Sequence, residues 1–275
     1  MSYLELASWF GSLDGFKGSR QFPLESECQE IDSFVTEYGF YTPTRLIQTS
    51  TDSAHAFQAG MMEIFDGMVY VSLLIWIDDT LLFAKAFEDC LQVFRQSFQR
   101  LRKFNVKLNP NKTQLFSREI TWCGRKVSKI GIRFHDTPIQ AFQQLPEPTT
   151  ADQMQKLVCA ANWIRTTIPR YAEAVSLLQK FLKSLQNEAG SMKQSKLKKL
   201  VIAERWTDEH NQCFQDLKRI IPNTVTLAHP NPEHEVCLFT EASDKHRGLV
   251  VTQVRPEDTG QRLAIQRHQP LAIGK

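Results

Sequence analysis

The chain has no C-x-x-C pair, no internal repeat, and no uncharged apolar run near the roughly 20 residues needed to cross a bilayer. The Met1 end shows no basic stretch followed by an apolar core, so no secretion leader is expected. The six cysteines stand apart, at 28, 90, 123, 159, 213 and 237. That scatter argues against a disulfide framework and fits reduced thiols in an intracellular setting, cytoplasmic or nuclear, with no membrane partner. His210 and Cys213 share a helical turn, but no second pair follows, which disfavours zinc. Neither sign of charge dominates: 33 basic and 30 acidic residues leave a net charge of +3, which permits a nucleic-acid partner without demanding one. What is there is a chain of 275 residues, 42% hydrophobic and 23% charged, enough for a good core and for two domains.

The most apolar stretch, VYVSLLIWIDDTLLFA at 69–84, carries Asp78 and Asp79 in its middle. Two β-rich halves, 69–77 and 80–84, are joined at the aspartates. A two-residue hairpin normally takes Asn-Gly or a similar pair, because its turn needs positive φ. Asp-Asp is a poor turn, and adjacent carboxylates beside apolar strands are pushed towards protonation unless a cation is present. The residues themselves leave two readings open, a metal site and an ordinary polar turn.

Around this hairpin the spacing predicts an α+β layer. Residues 8–24 read as a short strand running into a Gly-rich turn. Phe57, Met61, Ile64, Phe65 and Met68 share one helical face, with Asp52 or Ser53 as the cap. A second helix is expected to bury Phe87, Leu91, Phe94, Phe98 and Leu101. Two helices and several strands in this order imply an antiparallel sheet covered on one face, its open face bearing the carboxylates. After Pro146 and Pro148 the pattern turns helical: Thr150 caps a helix through Met154, Leu157, Val158, Ala161 and Ile164, which Pro169 stops. Another helix follows from about Tyr171. Residues 186–205 are polar and lysine-rich and read as a linker able to attract a phosphate backbone. A third unit then runs from Trp206 through a helix to the strand VCLFTEAS at 236–243.

Metal-assisted phosphoryl transfer uses two cations about 3.5–4 Å apart on a rigid carboxylate platform. Neighbouring strand residues point to opposite faces, so a third carboxylate is wanted beside Asp78 and Asp79. Asp14, at the end of WFGSLD, is the best candidate.

At this point the chain resembles the pol polyprotein of gypsy-class LTR retrotransposons: a reverse transcriptase palm and thumb running into a ribonuclease H-like domain. Collinear motifs carry the resemblance: SLDGFKGSRQFPL, FYTPTRLIQTSTDSAHAFQ, WIDD, NVKLNPNKTQLF, TWCGRKVSKIGI, LPEPTTADQMQKLVCAANWIRTTIP, and ERWTDEHNQCFQDLKRII through LFTEAS. It implies a palm over 1–145, thumb helices over 146–185, the linker over 186–205 and a truncated ribonuclease H-like α/β unit over 206–275. It further implies RNA-directed DNA polymerase chemistry with two Mg2+ ions (Mn2+ as substitute), a primed RNA or DNA template and dNTP. By the same resemblance Asp14 and Asp78 bind the metals and Asp79 supports them. Gln48 and Ser19 belong to the nucleotide pocket, and Lys112 to the leaving pyrophosphate, where positive charge or a proton donor helps. Trp122, Cys123 and Gly124 hold the primer end, and Gln155, Lys156, Asn162 and Trp163 lie along the duplex minor groove, reading shape and backbone. Each has an ordinary alternative: core packing for the two tryptophans, a solvated surface for Gln48 and Lys112, a strand end for Asp14.

Four departures from the family pattern bear on activity. Only 13 residues precede Asp14, so the fingers are expected to be nearly absent. Ser19 replaces the usual aromatic that blocks a ribose 2′-OH, and Thr49 replaces a glycine after Gln48. Glu241 stands at the first ribonuclease H aspartate, one methylene longer and with 34 residues after it, so ribonuclease H activity is not expected. The leading expectation is therefore an RNA-directed DNA polymerase domain impaired by truncation. Against it stand a non-catalytic retroelement fragment that binds nucleic acid weakly and an unrelated metal hydrolase.

Overall fold

The computed structural model describes residues 2–4, 6–48, 50–168, 170–190, 192–242, 247–261 and 267–274. It divides into two compact units, Met1–Ile130 and Gly131–Lys275. Thr49 and Pro169 lie outside the described residues.

The first unit is built on four antiparallel strands: β1 (Trp9–Asp14), β4 (Leu73–Trp76), β5 (Asp79–Ala84) and β6 (Gln114–Ser117), ordered β4-β5-β1-β6. Period-2 alternation sends Leu13 and Leu82 to one face. There they meet Phe57, Met61 and Ile64 of α2 (Ser53–Ile64) and Cys90, Phe94 and Leu101 of α3 (Phe87–Lys103) in one apolar cluster. The approach of α3 needs Gly11: a Cβ there would stand 2.1 Å from Phe94 Cζ. The expected stripe on α3 is rotated. Its buried residues are Cys90, Phe94, Ser97 and Leu101, at i, i+4, i+7 and i+11, while Phe87 and Phe98 reach solvent. The expected side-chain cap on α2 is absent too, because the Ser53 hydroxyl donates to Ile47 O instead.

The opposite face of the sheet is not open, as Phe10, Leu74, Leu81 and Phe83 are buried on it. A second hairpin, β7 (Glu119–Trp122) with β8 (Arg125–Ser128), supplies Trp122, whose indole donates to Asp79 O at 3.2 Å. Before α2 come the short helix α1 (Ser26–Gln29) and an isolated hairpin of β2 (Phe34–Thr36) and β3 (Gly39–Tyr41), on which Phe34 and Tyr41 stack.

The second unit opens with β9 (Gly131–Phe134) and α4 (Asp136–Gln143). Its core joins α5 (Ala151–Ile164), α6 (Tyr171–Ala189), α7 (Gln194–Leu197) and α8 (Asp208–Ile220) through Met154, Leu157, Val175, Leu178, Phe214 and Leu217. The Thr150 hydroxyl accepts from Gln153 N and starts α5 as expected. Residues 186–205 differ from the linker reading. α6 continues to Ala189, Leu197 and Ile202 are fully buried, and Ile202 N donates to Thr149 O at 3.0 Å. The lysines of that segment face water, as do Met192 and Val201, while Leu197 and Ile202 enter the core. A three-stranded antiparallel sheet follows: β10 (Glu235–Ala242), β11 (Arg247–Val254) and β12 (Gln269–Gly274), with β11 in the middle. All six cysteines are free, and among the described residues no helix is long and apolar enough to cross a membrane.

Candidate active site

The hairpin at 69–84 turns one residue earlier than the Asp-Asp reading expects. Trp76 pairs with Asp79, so Ile77 and Asp78 form the turn and Asp79 begins β5. Ile77 carries φ +55°, an outlier for a β-branched residue. The turn is held from α2: Gln58 Oε1 accepts from Ile77 N at 2.6 Å, and Gln58 Nε2 donates to Ile75 O at 3.3 Å. Strain of this kind persists only where the surroundings over-determine it, and Gln58 supplies the restraint.

The antiparallel register sets Asp14 directly across from Asp79. Opposed residues on one face of such a pair have Cβ atoms roughly 4.5–5.5 Å apart, so two carboxylates meet where β1 ends. Burial raises the Asp79 pKa first, and the neighbouring Asp78 and Asp14 raise it further; Lys112 and the Cys123 thiol pull the other way. Lys112 Nζ forms an ion pair with Asp14 Oδ2 at 3.2 Å. The loop that presents Lys112 is tied back to β1, with Asn109 N donating to Asp14 O at 2.8 Å and Phe16 N to Lys107 O at 2.9 Å. Gln21 completes the brace, donating to Phe16 O at 2.7 Å and Lys107 O at 2.9 Å and accepting from Lys107 N at 2.6 Å. Sequence reasoning missed the roles of Gln21 and Gln58: both lie in the collinear motifs, but neither belongs to an apolar period and their bonds reach backbone far along the chain.

Above the sheet end lies a cavity of about 610 Å3, lined by Asp14, Asp78, Lys112, Ser19, Gln48 and the 15–20 loop. Five of the sequence-derived residues thus border one space, and Asp79 sits partly buried across from Asp14. Cys123 and Gly124, with φ +48° and +72°, make the two-residue turn of the β7–β8 hairpin, the combination a type I′ turn requires. The Cys123 thiol, 3.9 Å from Asp79 Oδ2, is pushed up to about 12 by burial and by the Asp79 charge, so it stays protonated as a donor. Trp122 is both core aromatic and anchor of the Asp79 strand. The remaining candidates lie on α5 in the second unit. Lys156 pairs with Asp152 at 2.9 Å, the buried Gln155 Oε1 has no partner among the described residues, and Asn162 accepts from Tyr171 OH at 2.9 Å. Trp163 stands exposed, edge-on to Phe134.

Residues 2–127 match the family model "Reverse transcriptase (RNA-dependent DNA polymerase)", and residues 206–265 match "RNase H-like domain found in reverse transcriptase". The chain thus holds a segment similar to reverse transcriptases followed by one similar to their RNase H-like domain, and the curated proteins it resembles are retroelement Pol polyproteins. It is 28% identical over 253 residues to the Retrovirus-related Pol polyprotein from transposon 412 of Drosophila melanogaster, covering 92% of this chain and 19% of that protein. To the Pol polyprotein from transposon gypsy of the same fly it is 24% identical over 254 residues, 92% of this chain and 24% of that protein. The Gag-Pol polyprotein of avian reticuloendotheliosis virus is 26% identical over 277 residues, 97% of this chain and 23% of that protein. The chain therefore spans about a fifth to a quarter of the length of these relatives. In fold it is similar to a foamy viral protease-reverse transcriptase solved with double-stranded DNA, with TM-score 0.77 and 19% identity over 97% of this chain and 42% of the other. A foamy viral protease-reverse transcriptase solved with an RNA/DNA hybrid gives TM-score 0.75 and 17% identity, over 97% of this chain and 33% of the other. The α+β reverse transcriptase fold expected from the sequence is the fold observed.

Proposed function

We propose that the cavity above Asp14 and Asp78 is a nucleotidyl-transfer site, in which a primer 3′-OH attacks the α-phosphate of a dNTP on an RNA or DNA template. The observation that carries this reading is the register of Asp14 against Asp79, with Asp14, Asp78 and Lys112 lining one cavity. Among the described residues no group of three or more His, Cys, Asp or Glu stands ready to hold a metal as arranged. The donor chemistry nevertheless fits magnesium: carboxylate oxygens are the ligands a hard cation takes, and Asp79 is pushed up first by burial and then by the neighbouring charges of Asp78 and Asp14. Asp14 and Asp78, with Asp79 in support, would hold two Mg2+ ions, which when bound polarise the phosphoryl oxygens and favour ionisation of the attacking hydroxyl. The protein's own part is positioning. Asp14 and Asp79 are fixed by β1 and β5, Asp78 by the Gln58-clamped turn, and Lys112 by the braced 107–113 loop. Lys112 brings positive charge to the side where pyrophosphate departs. Gln48 and Ser19 border the nucleotide's space, Trp122, Cys123 and Gly124 hold the primer end, and Gln155, Lys156, Asn162 and Trp163 on α5 follow the duplex.

Primer extension on poly(rA)/oligo(dT) with Mg2+ tests the reading. Incorporation is expected to fall at least about 100-fold in Asp14→Asn and Asp78→Asn, as for loss of a preorganised charge-stabilising group. Equal incorporation by wild type and both variants would remove it. The alternative is a non-catalytic segment that binds nucleic acid, and it draws on the lack of a ready metal group among the described residues. Salt-sensitive duplex binding without extension is its mark. Glu241, exposed on β10, supports a further expectation: no ribonuclease H activity. RNA loss from an RNA–DNA hybrid that disappears in Glu241→Gln would contradict it.

A further inference from the structure

Two exposed patches of opposite charge, one on each compact unit, take no part in the chemistry assigned above. Five of the chain's 30 acidic residues and none of its 33 basic ones fall between Arg20 and Arg45, so that stretch carries −5 in a chain of net charge +3. Glu25, Glu27, Glu30 and Glu37 are exposed and make no ion pair with another described residue, while Asp32 accepts from the Ser50 hydroxyl at 2.7 Å. The same stretch carries the β2–β3 hairpin, and in and beside it Ile31, Val35, Tyr38 and Phe40 are 70–84% exposed. Val35 stands opposite Phe40 on one face, and Phe34 and Tyr41 stack on the other. A two-stranded ribbon with apolar side chains on both faces is marginal in water by itself. An exposed apolar patch rimmed by charge marks a surface that meets another molecule.

The complement stands in the second unit. Four lysines and no carboxylate lie between Glu188 and Glu204, and Lys193, Lys196, Lys198 and Lys199 are all exposed. Met192 and Val201 flank them, also exposed. This turn is pinned in place: Leu197 and Ile202 are fully buried beneath it, and Ala151 N donates to Leu200 O at 3.0 Å. We infer that the acidic hairpin region of one copy of this chain docks on the lysine turn of a second copy, carboxylates on ammonium groups and the apolar hairpin face on Met192 and Val201. Other occupants of the hairpin fit worse. Nucleic acid and anionic lipid carry the same sign as the glutamates, and two hairpins face to face would set like charges against each other. A contact between unlike patches is heterologous: exchanged reciprocally it closes a dimer, and otherwise it runs on into a longer series. The stretch 25–41 is short for one side of a stable interface, so the association is weak and sensitive to salt. None of this depends on the nucleotidyl-transfer reading of the cavity at Asp14.

Analytical sedimentation of the full chain without nucleic acid, from about 1 to about 100 μM protein, tests the contact. The wild type is expected to associate at about 50 mM NaCl, with an association constant at least about 10-fold lower at about 500 mM, where the Debye length has shrunk. Two triple variants reverse one patch each: Glu25→Lys with Glu27→Lys and Glu30→Lys, and Lys196→Glu with Lys198→Glu and Lys199→Glu. Each should be monomeric alone, and an equimolar mixture of the two should associate again, because every reversed patch then meets its complement. Phe40→Ser should weaken association about 10- to 100-fold at both salt concentrations, as exposure of one docked aromatic does. The altered side chains are all exposed, and melting temperatures equal to that of the wild type show each variant to be folded. Charge-reversed variants that associate like the wild type overturn the inference, and so does a mixture that stays monomeric. A wild type that is monomeric at about 100 μM also overturns it and leaves the hairpin to a basic segment of another protein.

Discussion

Lys112 Nζ lies 3.2 Å from Asp14 Oδ2, an ion pair between two loops' worth of separate chain drawn together at the end of β1. The lysine is largely exposed, with 65% of its side-chain surface open, whereas the aspartate keeps 15%. Exposed pairs of this sort contribute roughly 0–1 kcal/mol. The contact is therefore a poor source of stability and a good one of placed charge. Lys112→Met is expected to shift the melting temperature by less than about 2 °C. It should lower kcat in primer extension by about 10- to 100-fold, as loss of a charge aimed at the leaving group does. A melting shift above about 5 °C with unchanged kcat would show the reverse division of labour.

The Ile77 turn and Gln58 make a second coupled pair. Gln58 satisfies one backbone donor and one acceptor of the β4–β5 hairpin, at 2.6 and 3.3 Å. Gln58→Ala should destabilise the chain by about 1–3 kcal/mol, since the partners are partly buried and left unpaired. Ile77 at φ +55° stores strain that glycine would release. In the Gln58→Ala background, Ile77→Gly is thus expected to recover part of the stability but not primer extension, because the turn bearing Asp78 loses its restraint. A double-mutant cycle by urea unfolding measures the coupling, and additivity within about 0.3 kcal/mol would show the two residues to be independent.

Asp79 gives a pH signature whose sign follows from its environment. Burial, Asp78 and Asp14 raise its folded pKa above the ordinary carboxylate value of 3.8. Between those two values the folded chain binds more protons than the unfolded one, so stability falls as pH rises through the folded pKa. The charged form at neutral pH is a liability in the metal-free chain. Asp79→Asn is accordingly expected to melt higher than wild type at pH 7 without divalent ions. The gain should vanish below about pH 3.8, where both states are protonated in wild type. Adding Mg2+ should stabilise wild type more than the variant. A variant that melts lower at pH 7 would contradict this account.

How much of this was legible in the sequence depends on the range of the contact that decides each feature. The α2 face with Phe57, Met61 and Ile64, the Thr150 cap and the strand ending in Asp14 are local patterns, and they appear as read. The α3 face was misjudged because Phe87 and Phe98 outweigh Cys90 and Ser97 in hydrophobicity. Close packing over Gly11 instead selects the stripe through Phe94. In the segment 186–205, lysine density hid Leu197 and Ile202, which become core only when α6, α7 and α8 assemble. The turn at Ile77–Asp78 was placed one residue late, since Asp-Asp looks like a turn while the pairing of Trp76 with Asp79 is invisible to local propensity. Gln58 and Gln21 act through side-chain bonds to backbone 19 and 86 residues away, and such bonds leave no periodic trace.

Ser19 borders the cavity from the turn after β1, beside Gly18, whose close neighbour is the Phe57 ring of α2. A hydroxymethyl group at this place occupies far less volume than an aromatic ring, so a ribose 2′-OH meets no steric stop. Ser19→Phe is expected to leave dTTP incorporation within about 3-fold of wild type and to reduce rUTP incorporation by about 10- to 200-fold, the range one misfitting group commands in a pocket. The measurement is the ratio of kcat/KM values for the two nucleotides on the same primer and template. Equal ratios in wild type and Ser19→Phe would mean that the sugar edge of the nucleotide does not approach this turn. Because Ser19 is held by a loop that Gln21 braces against Lys107, Gln21→Ala should also blur the discrimination of Ser19→Phe, whereas a rigid gate independent of that brace would keep it.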